Sequence, residues 1–313
     1  MSELLFLESV MHEKMWGGSR LKSEFDYKIP SDKTGEYWAI SAHPNGTSQI
    51  SNGNYKGIKL DTLYKNHREL FGDSTHDTFP LLIKILDANQ WLSVQVHPDD
   101  TYAIAHDEKF GKTECWYILS AEDNAEIIYG HNANDIEELS QMIEENTWDK
   151  LLCRVKVHAG DFFYVPSGTL HAIGPGIMIL EIQQSSDTTY RVYDFKRLDT
   201  NGNCRALHIS QALDVITIGH PNNSVPITQS INDLQHTTLL TSNFFTVYKW
   251  KISGKAEFSQ FAPYLLVSVI DGYGQIATKN FGYSLSKGQH FIIPNNVETW
   301  KIVGEIEMIV CHI

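Results

Sequence analysis

The sequence predicts a mostly-β protein, built as two related β-barrels with a few helical insertions. Three observations lead there. Short runs rich in Val, Ile, Tyr, Phe and Trp recur along the chain, separated by Gly, Pro, Asn and Asp. Helical periodicity is confined to a few stretches, which favours a barrel or sandwich with helical decoration. One motif also occurs twice. "GDFFYVPSGTLHAI" (160–173) aligns with "GQHFIIPNNVETWKI" (288–302) through Gly160/Gly288, an apolar strand and Pro166/Pro294. A glycine–strand–proline unit near each end implies two barrels of one design.

Taken in order, strands are expected at 81–86, 92–96, 114–119, 125–130, 161–165, 177–183, 245–252, 264–270 and 290–294. "DTLYKNHRELFG" (61–72) and "DDTYAIAHD" (99–107) read as helices, each opening on an acid suited to an N-cap. "NDIEELSQMIEENTWDKLLCRV" (134–155) is the longest expected helix, apolar at Ile136, Leu139, Met142 and Ile143. "HISQALDVIT" (208–217) is a fourth. "GHPNNSVPITQSINDLQ" (219–235), rich in Asn, Pro and Ser, reads as a joint. The expected organisation is a first, catalytic domain over 1–220, with helical decoration at about 132–155, a joint at 221–235, and a second barrel over 236–313. The copies differ at one telling position. Where the first has His171, the second has Thr299, so chemistry resting on that histidine belongs to the first copy and the second is expected to be metal-free.

Composition narrows the function classes. Among 313 residues, 38 acids outnumber 25 bases, for a net charge of −13 without a basic stripe. Nonspecific nucleic-acid binding needs clustered Lys and Arg, so that class is excluded. A local cationic cluster can still hold a small anion. Cys115, Cys153, Cys204 and Cys311 form no Cys-x-x-Cys pair, hence neither a zinc knuckle nor a disulfide framework. "MSELLFLESVMHEKMWGG", with Glu3 and Glu8, is not read as a signal peptide, and no apolar run approaches the roughly 20 residues that span a bilayer. The expectation is a soluble, reduced, cytoplasmic protein, monomer or homodimer, with no membrane or nucleic-acid partner.

One strand is odd. In "WLSVQVHPDD" (91–100), Leu92, Val94 and Val96 are expected on one face and Ser93, Gln95 and His97 on the other. A wet strand face more often carries Lys, Glu or Thr than a hydroxyl, an amide and an imidazole. Gln95 and His97 can project into one cavity, with Glu114 from the next strand and His171 from the glycine–proline unit. Two imidazoles, a carboxylate and an amide oxygen form a mixed N/O donor set that suits zinc, with iron or manganese as alternatives. Two charges also sit where strands are otherwise apolar: Lys84 in "LLIKIL" and Glu181 in "IMILEIQ". Burying a charge is costly unless it is paired or used.

The string Gly160-x5-Pro166-x-Gly168-x2-His171 resembles the second box of the cupin (jelly-roll) barrel. Gln95-x-His97 followed by Glu114 resembles the first, with Gln replacing its usual first His. The likeness narrows further. "WGGSRL" (16–21), "GEYWAISAHPNGTSQISNG" (35–53), "LLIKILDANQWLSVQVHPDD" (81–100), "GKTECWYIL" (111–119), "GDFFYVPSGTLHAIG" (160–174) and "LEIQQSSDTTYRVYDF" (180–195) together resemble type I phosphomannose isomerases, best the shorter bacterial branch. The resemblance is dense from Trp16 to Asp194 and loose beyond.

It implies a metal site of Gln95, His97, Glu114 and His171, with zinc the usual ion. It implies Arg191 as the active-site arginine, Glu181 and Lys112 as further active-site residues, and Lys84 and Ser93 at the substrate's phosphate. The implied reaction interconverts mannose 6-phosphate and fructose 6-phosphate by a proton shift between C1 and C2 through a cis-enediol. Glu181 is the expected base, with Lys112 at lowered pKa or zinc-bound water as alternatives. Against these readings, Arg191 could be a salt-bridge partner of Asp187 or Asp194, and Trp16 and Tyr190 are candidate lining residues. Another cupin enzyme such as a non-haem iron dioxygenase, a catalytically dead sugar-phosphate sensor and a storage-type cupin are the competing classes. The added Gln95 and the lysine/arginine group for phosphate argue against the first, the intact ligand set and Arg191 against the second, and the buried charges against the third.

Overall fold

The computed structural model describes residues 3–106, 108–198, 202–221 and 223–313. Asp107, which ends one expected helix, and Asn222, within the expected joint, lie outside the described residues. The fold is mostly β, in three antiparallel sheets of nine, six and five strands.

The six-stranded sheet runs Phe162–Val165, Glu114–Ala121, Ile177–Gln184, Leu81–Ala88, Val10–Gly18, Thr34–Ile40. Its faces have different tasks. On Leu81–Ala88, Leu81, Ile83 and Ile85 enter the central hydrophobic cluster, which also takes residues of the C-terminal sheet. Leu86 and Ala88 enter a second cluster, and Lys84 lines a cavity. Ile177–Gln184 repeats the pattern, with Met178, Leu180 and Ile182 on one side and Ile177, Ile179 and Glu181 on the other. That is the period-two geometry of a strand. The sequence shows no alternation of polarity there because both faces are sheltered.

The five-stranded sheet runs Tyr190–Tyr193, Val94–Val96, His171–Ile173, Glu126–His131, Leu152–Lys156. It faces the six-stranded sheet, for Ile127 and Ile173 share a cluster with Leu86, Trp116 and Ile179. Its outer side packs Val94, Val96, Ile128 and Ala172 beneath Leu139, Ile143 and Ala212 of the helices Ile136–Glu144 and Ile209–Val215.

The nine-stranded sheet has three 14-residue strands at its centre, Thr246–Ser259, Leu265–Thr278 and Thr299–His312. The first two run past the expected ends at 252 and 270. Glycines that read as breakers let the backbones pass closely: a Cβ on Gly304 would stand 2.4 Å from the Tyr273 carbonyl oxygen. Ile227–Ile231 and Leu234–Thr241 join this sheet and take up the C-terminal part of the stretch expected as a joint. Leu5–Glu8 pairs with His290–Ile293 on one side and Gln49–Ile50 on the other, across the boundary expected near residue 220.

The expected helix at 134–155 is instead two helices and a strand. Asp135 caps Ile136–Glu144 by accepting from the Glu138 amide, and Asn146 at φ +57° ends that helical path. Trp148–Leu151 follows, and Leu152–Lys156 is drawn into the sheet beside Glu126–His131. The expected helix at 61–72 divides into Leu60–Asn66 and a 3₁₀ turn, Arg68–Phe71, with Asp61 inside the first turn rather than at the cap.

Candidate active site

A cavity of about 340 Å³ lies between the six- and five-stranded sheets. Strand register decides what enters it. Arg191 stands opposite Gln95, and Gln95 opposite His171 on the next strand. On the facing sheet Glu181 stands between Lys84 and Trp116, while Gln183 stands opposite Glu114. Since alternate residues share a face, one wall presents Arg191, Gln95 and His171 and the other Lys84, Glu181 and Trp116.

His97, Glu114 and His171 are each at most 1% exposed, and one ligand atom from each lies within 4.8 Å of the others. The His97 and His171 Nδ1 atoms lie 2.8 Å from the carbonyl oxygens of Thr188 and Thr169. A carbonyl only accepts, so both Nδ1 atoms carry the proton and both Nε2 lone pairs point inward. Those Nε2 atoms lie 3.6 and 3.5 Å from the two oxygens of Glu114. Burial pushes His171 down to about 4 and His97 well below the usual histidine range, which keeps both rings neutral near pH 7. Ser93 Oγ donates to Gln95 Oε1 at 3.2 Å, and Gln95 Nε2 lies 3.5 Å from His171 Nε2. A half-turn of that amide brings its oxygen beside the imidazole nitrogen and leaves its NH₂ to donate to Ser93. Two oriented imidazoles, a carboxylate and an amide oxygen fit a divalent metal of the zinc type.

Charged groups surround this cluster. Lys112 Nζ lies 2.8 Å from Glu114 Oε2 and 3.0 Å from His97 Nε2. Burial opposes its charge, but Glu114 and Glu181 prevail and raise its pKa, opposite to the lowering a lysine base requires. The Trp116 indole donates to both Glu114 Oε1, at 3.0 Å, and Glu181 Oε2, at 3.1 Å. Burial, and then the like charge of Glu114, raise the Glu181 carboxyl against the pull of Lys112 and Lys84. Lys84 Nζ is 3.5 Å from Glu181 Oε1 and lies over the Trp38 ring. Arg191 Nη1 donates to the Ala206 carbonyl at 2.9 Å. Among the described residues it has no ion pair: Asp194 takes Arg197 and Arg205, and Asp187 lies against His43.

All nine candidate residues therefore meet at this cavity, seven on its lining and His97 and Glu114 just behind it. Trp16 lines it and Tyr190 does not. Leu92 lines it too, rather than packing outward with Val94 and Val96, because the strand begins only at Val94. Lys14, Glu36, Trp38 and Arg205 were not anticipated. Glu36 carried a readable signal, an acid in the fully buried strand Thr34–Ile40. It accepts from Trp38 Nε1 at 2.7 Å and lies 3.2 Å from Lys14. Burial works against its charge, but Lys84 and Lys14 hold it down to about 2.

Known proteins carry the same architecture. Residues 4–114 match the family model for the phosphomannose isomerase type I catalytic domain, and residues 235–313 that for the mannose-6-phosphate isomerase cupin domain. The mannose-6-phosphate isomerase of Streptococcus mutans is 61% identical over 312 residues, covering 100% of this chain and 99% of its own. Mannose-6-phosphate isomerase ManA of Bacillus subtilis is 51% identical over 314 residues, covering 100% and 99%. A crystal structure of the mannose 6-phosphate isomerase from Bacillus subtilis matches with a TM-score of 0.97 at 48% identity over 99% of each chain. With likeness running from end to end, through the cavity sheets and the C-terminal sheet alike, the chain belongs to the type I phosphomannose isomerase family.

Proposed function

We infer that the protein is a mannose-6-phosphate isomerase, a metal-dependent aldose–ketose isomerase that interconverts mannose 6-phosphate and fructose 6-phosphate through a cis-enediol. The observation that carries this reading is the buried His97–Glu114–His171 cluster beside a cavity that also receives Glu181 and Arg191.

The reaction takes a proton from C2 of the open-chain aldose, returns one to C1, and shifts the carbonyl from C1 to C2. Glu181 is proposed as the group that moves the carbon-bound proton. Its raised carboxyl is a stronger base than an ordinary one, and the Trp116 indole fixes its direction. Arg191, next to Gln95 across the strand pair, is proposed to meet the negative charge that grows on the enediolate oxygens. Lys112, held as an ammonium beside Glu114, is proposed to exchange a proton with O1 or O2 of the substrate. Lys84 and Ser93 are proposed to hydrogen-bond the phosphate from facing walls, which fixes the reacting carbons against Glu181. Gln95, His97, Glu114 and His171 would hold zinc, which when bound supplies a Lewis acid to polarise the carbonyl and its neighbouring hydroxyl. No helix among the described residues is long and apolar enough to cross a membrane. Four free cysteines support a reducing, cytoplasmic setting.

The test is conversion of mannose 6-phosphate to fructose 6-phosphate, before and after chelation and zinc add-back. Activity lost on chelation and restored by zinc is expected. A folded, metal-loaded protein without turnover would remove the isomerase reading.

A further inference from the structure

The charges around the cavity pair unevenly. Lys14 meets Glu36 at 3.2 Å, Lys84 meets Glu181 at 3.5 Å and Lys112 meets Glu114 at 2.8 Å, so each lysine has its own carboxylate. The arginines do not. Arg205 grips Asp194 with Nε at 2.7 Å and Nη2 at 2.6 Å, and Arg197 donates to the same carboxylate. Arg191 adds a third guanidinium without an ion pair among the described residues, and its Nε is buried without a hydrogen-bond partner. Among the described residues, three guanidiniums about one carboxylate leave a surplus of positive charge. Asp187, the remaining acid on the wall, lies against His43, whose ring is held neutral by burial, so it offsets only part of that surplus. Arg197 is turned to the Trp91 carbonyl and stays off the lining, whereas Arg191 and Arg205 both reach it. Like charges held together in a half-buried wall cost stability unless an anion joins them.

We propose that Arg205, its fork held by Asp194, takes the charge of the substrate's phosphate ester, while Arg191 beside Gln95 serves the reacting end. The proposal rests on the isomerase reading and deepens it. Lys84 and Ser93 then give the ester hydrogen bonds but no net charge, because Lys84 is already matched by Glu181. A phosphate ester supplies the anion that the remaining surplus lacks, and a guanidinium oriented by a buried carboxylate is suited to binding it.

Arg205→Gln tests this, with Arg205→Lys beside it in case loss of the Asp194 pair impairs folding. In Arg205→Gln, KM for mannose 6-phosphate and the inhibition constant of inorganic phosphate are both expected to rise about tenfold or more. Metal content should stay near wild type, and the turnover number should fall by a smaller factor than KM rises. Inhibition by mannitol, which has no phosphate, should be unchanged. Arg205→Lys, which keeps a charge but not the fork, should raise both phosphate constants severalfold. Unchanged phosphate constants in either folded variant would overturn the proposal, as would equal weakening of mannitol and phosphate. The two readings fail separately. Inorganic phosphate bound by the wild type but not by Arg205→Gln in calorimetry, without any isomerisation, would sink the enzyme assignment and leave the anion site standing.

Discussion

Gly160 and Gly288 turn with φ of +94° and +88° into the strands Phe162–Val165 and His290–Ile293, which lead to Pro166 and Pro294. Five residues past each proline the copies part. His171 is buried against Glu114, whereas Thr299 is exposed. The interiors differ in the same sense. The first unit lines its cavity with Lys84, Gln95, Lys112, Glu181 and Arg191, while the C-terminal sheet fills its own cluster with Trp250, Val267, Phe291, Met308 and Val310. One interior is held apart by ion pairs and gives little net stability for its burial. The other gains from every apolar group removed from water.

The comparison can be broken from either side. The largest effect is expected for His171→Ala, which should lose metal and lower kcat/KM by about 10³-fold together, read by elemental analysis and assay. Full metal content in that variant would remove His171 from the ligand set. Phe291→Ala should cost about 3–5 kcal/mol in denaturant unfolding, yet leave metal content and turnover intact at temperatures where it stays folded. Metal loss in that folded variant would show that the second unit shapes the site directly.

Acid should divide the two interiors as well. Glu36 is held at about 2 against an ordinary 4.5, so its charged form favours the fold. A carboxylate depressed in this way contributes its stability fully above pH 4.5 and loses it as pH falls towards 2, about 3 kcal/mol in all. Glu36→Gln should therefore lose stability less steeply than wild type over that window, as read by unfolding at stepped pH. Arg191→Lys should retain the metal and lower kcat on the order of 10- to 100-fold, with a smaller change in KM. An unchanged kcat would take Arg191 out of the mechanism. The smallest effect is expected for Thr299→His, which should add no metal, because among the described residues the only cluster of three His, Cys, Asp or Glu donors is His97, Glu114 and His171. A second bound equivalent would erase the distinction between the copies.

Much of the site was legible because charge in an apolar strand is improbable without a use. Lys84 and Glu181 stood out on that ground, and Glu36 in "GEYWAI" carried the same mark. Arg205 carried none. It lies in "NGNCRALH", which has no periodicity, and its meaning comes from Asp194 and from a register that sets Arg191 beside Gln95. The end of the 134–155 stretch misled because "WDKLLCRV" suits a helix by local propensity. Pairing with Glu126–His131 overrides that preference, a long-range term that a local window does not contain. The C-terminal strands were underestimated for a related reason, since Gly254 and Gly304 face each other within a ladder rather than ending it.

Leu5 lies in register with Ile292, so the first strand of the chain finds its partner in nearly the last. On the ribosome that strand must wait until the residues around Ile292 have emerged. Until then the backbone groups of Leu5–Glu8 that the C-terminal sheet will pair remain an open edge, available to other chains. A nascent chain stalled before residue 290 would hold every residue of the cavity and still expose that edge.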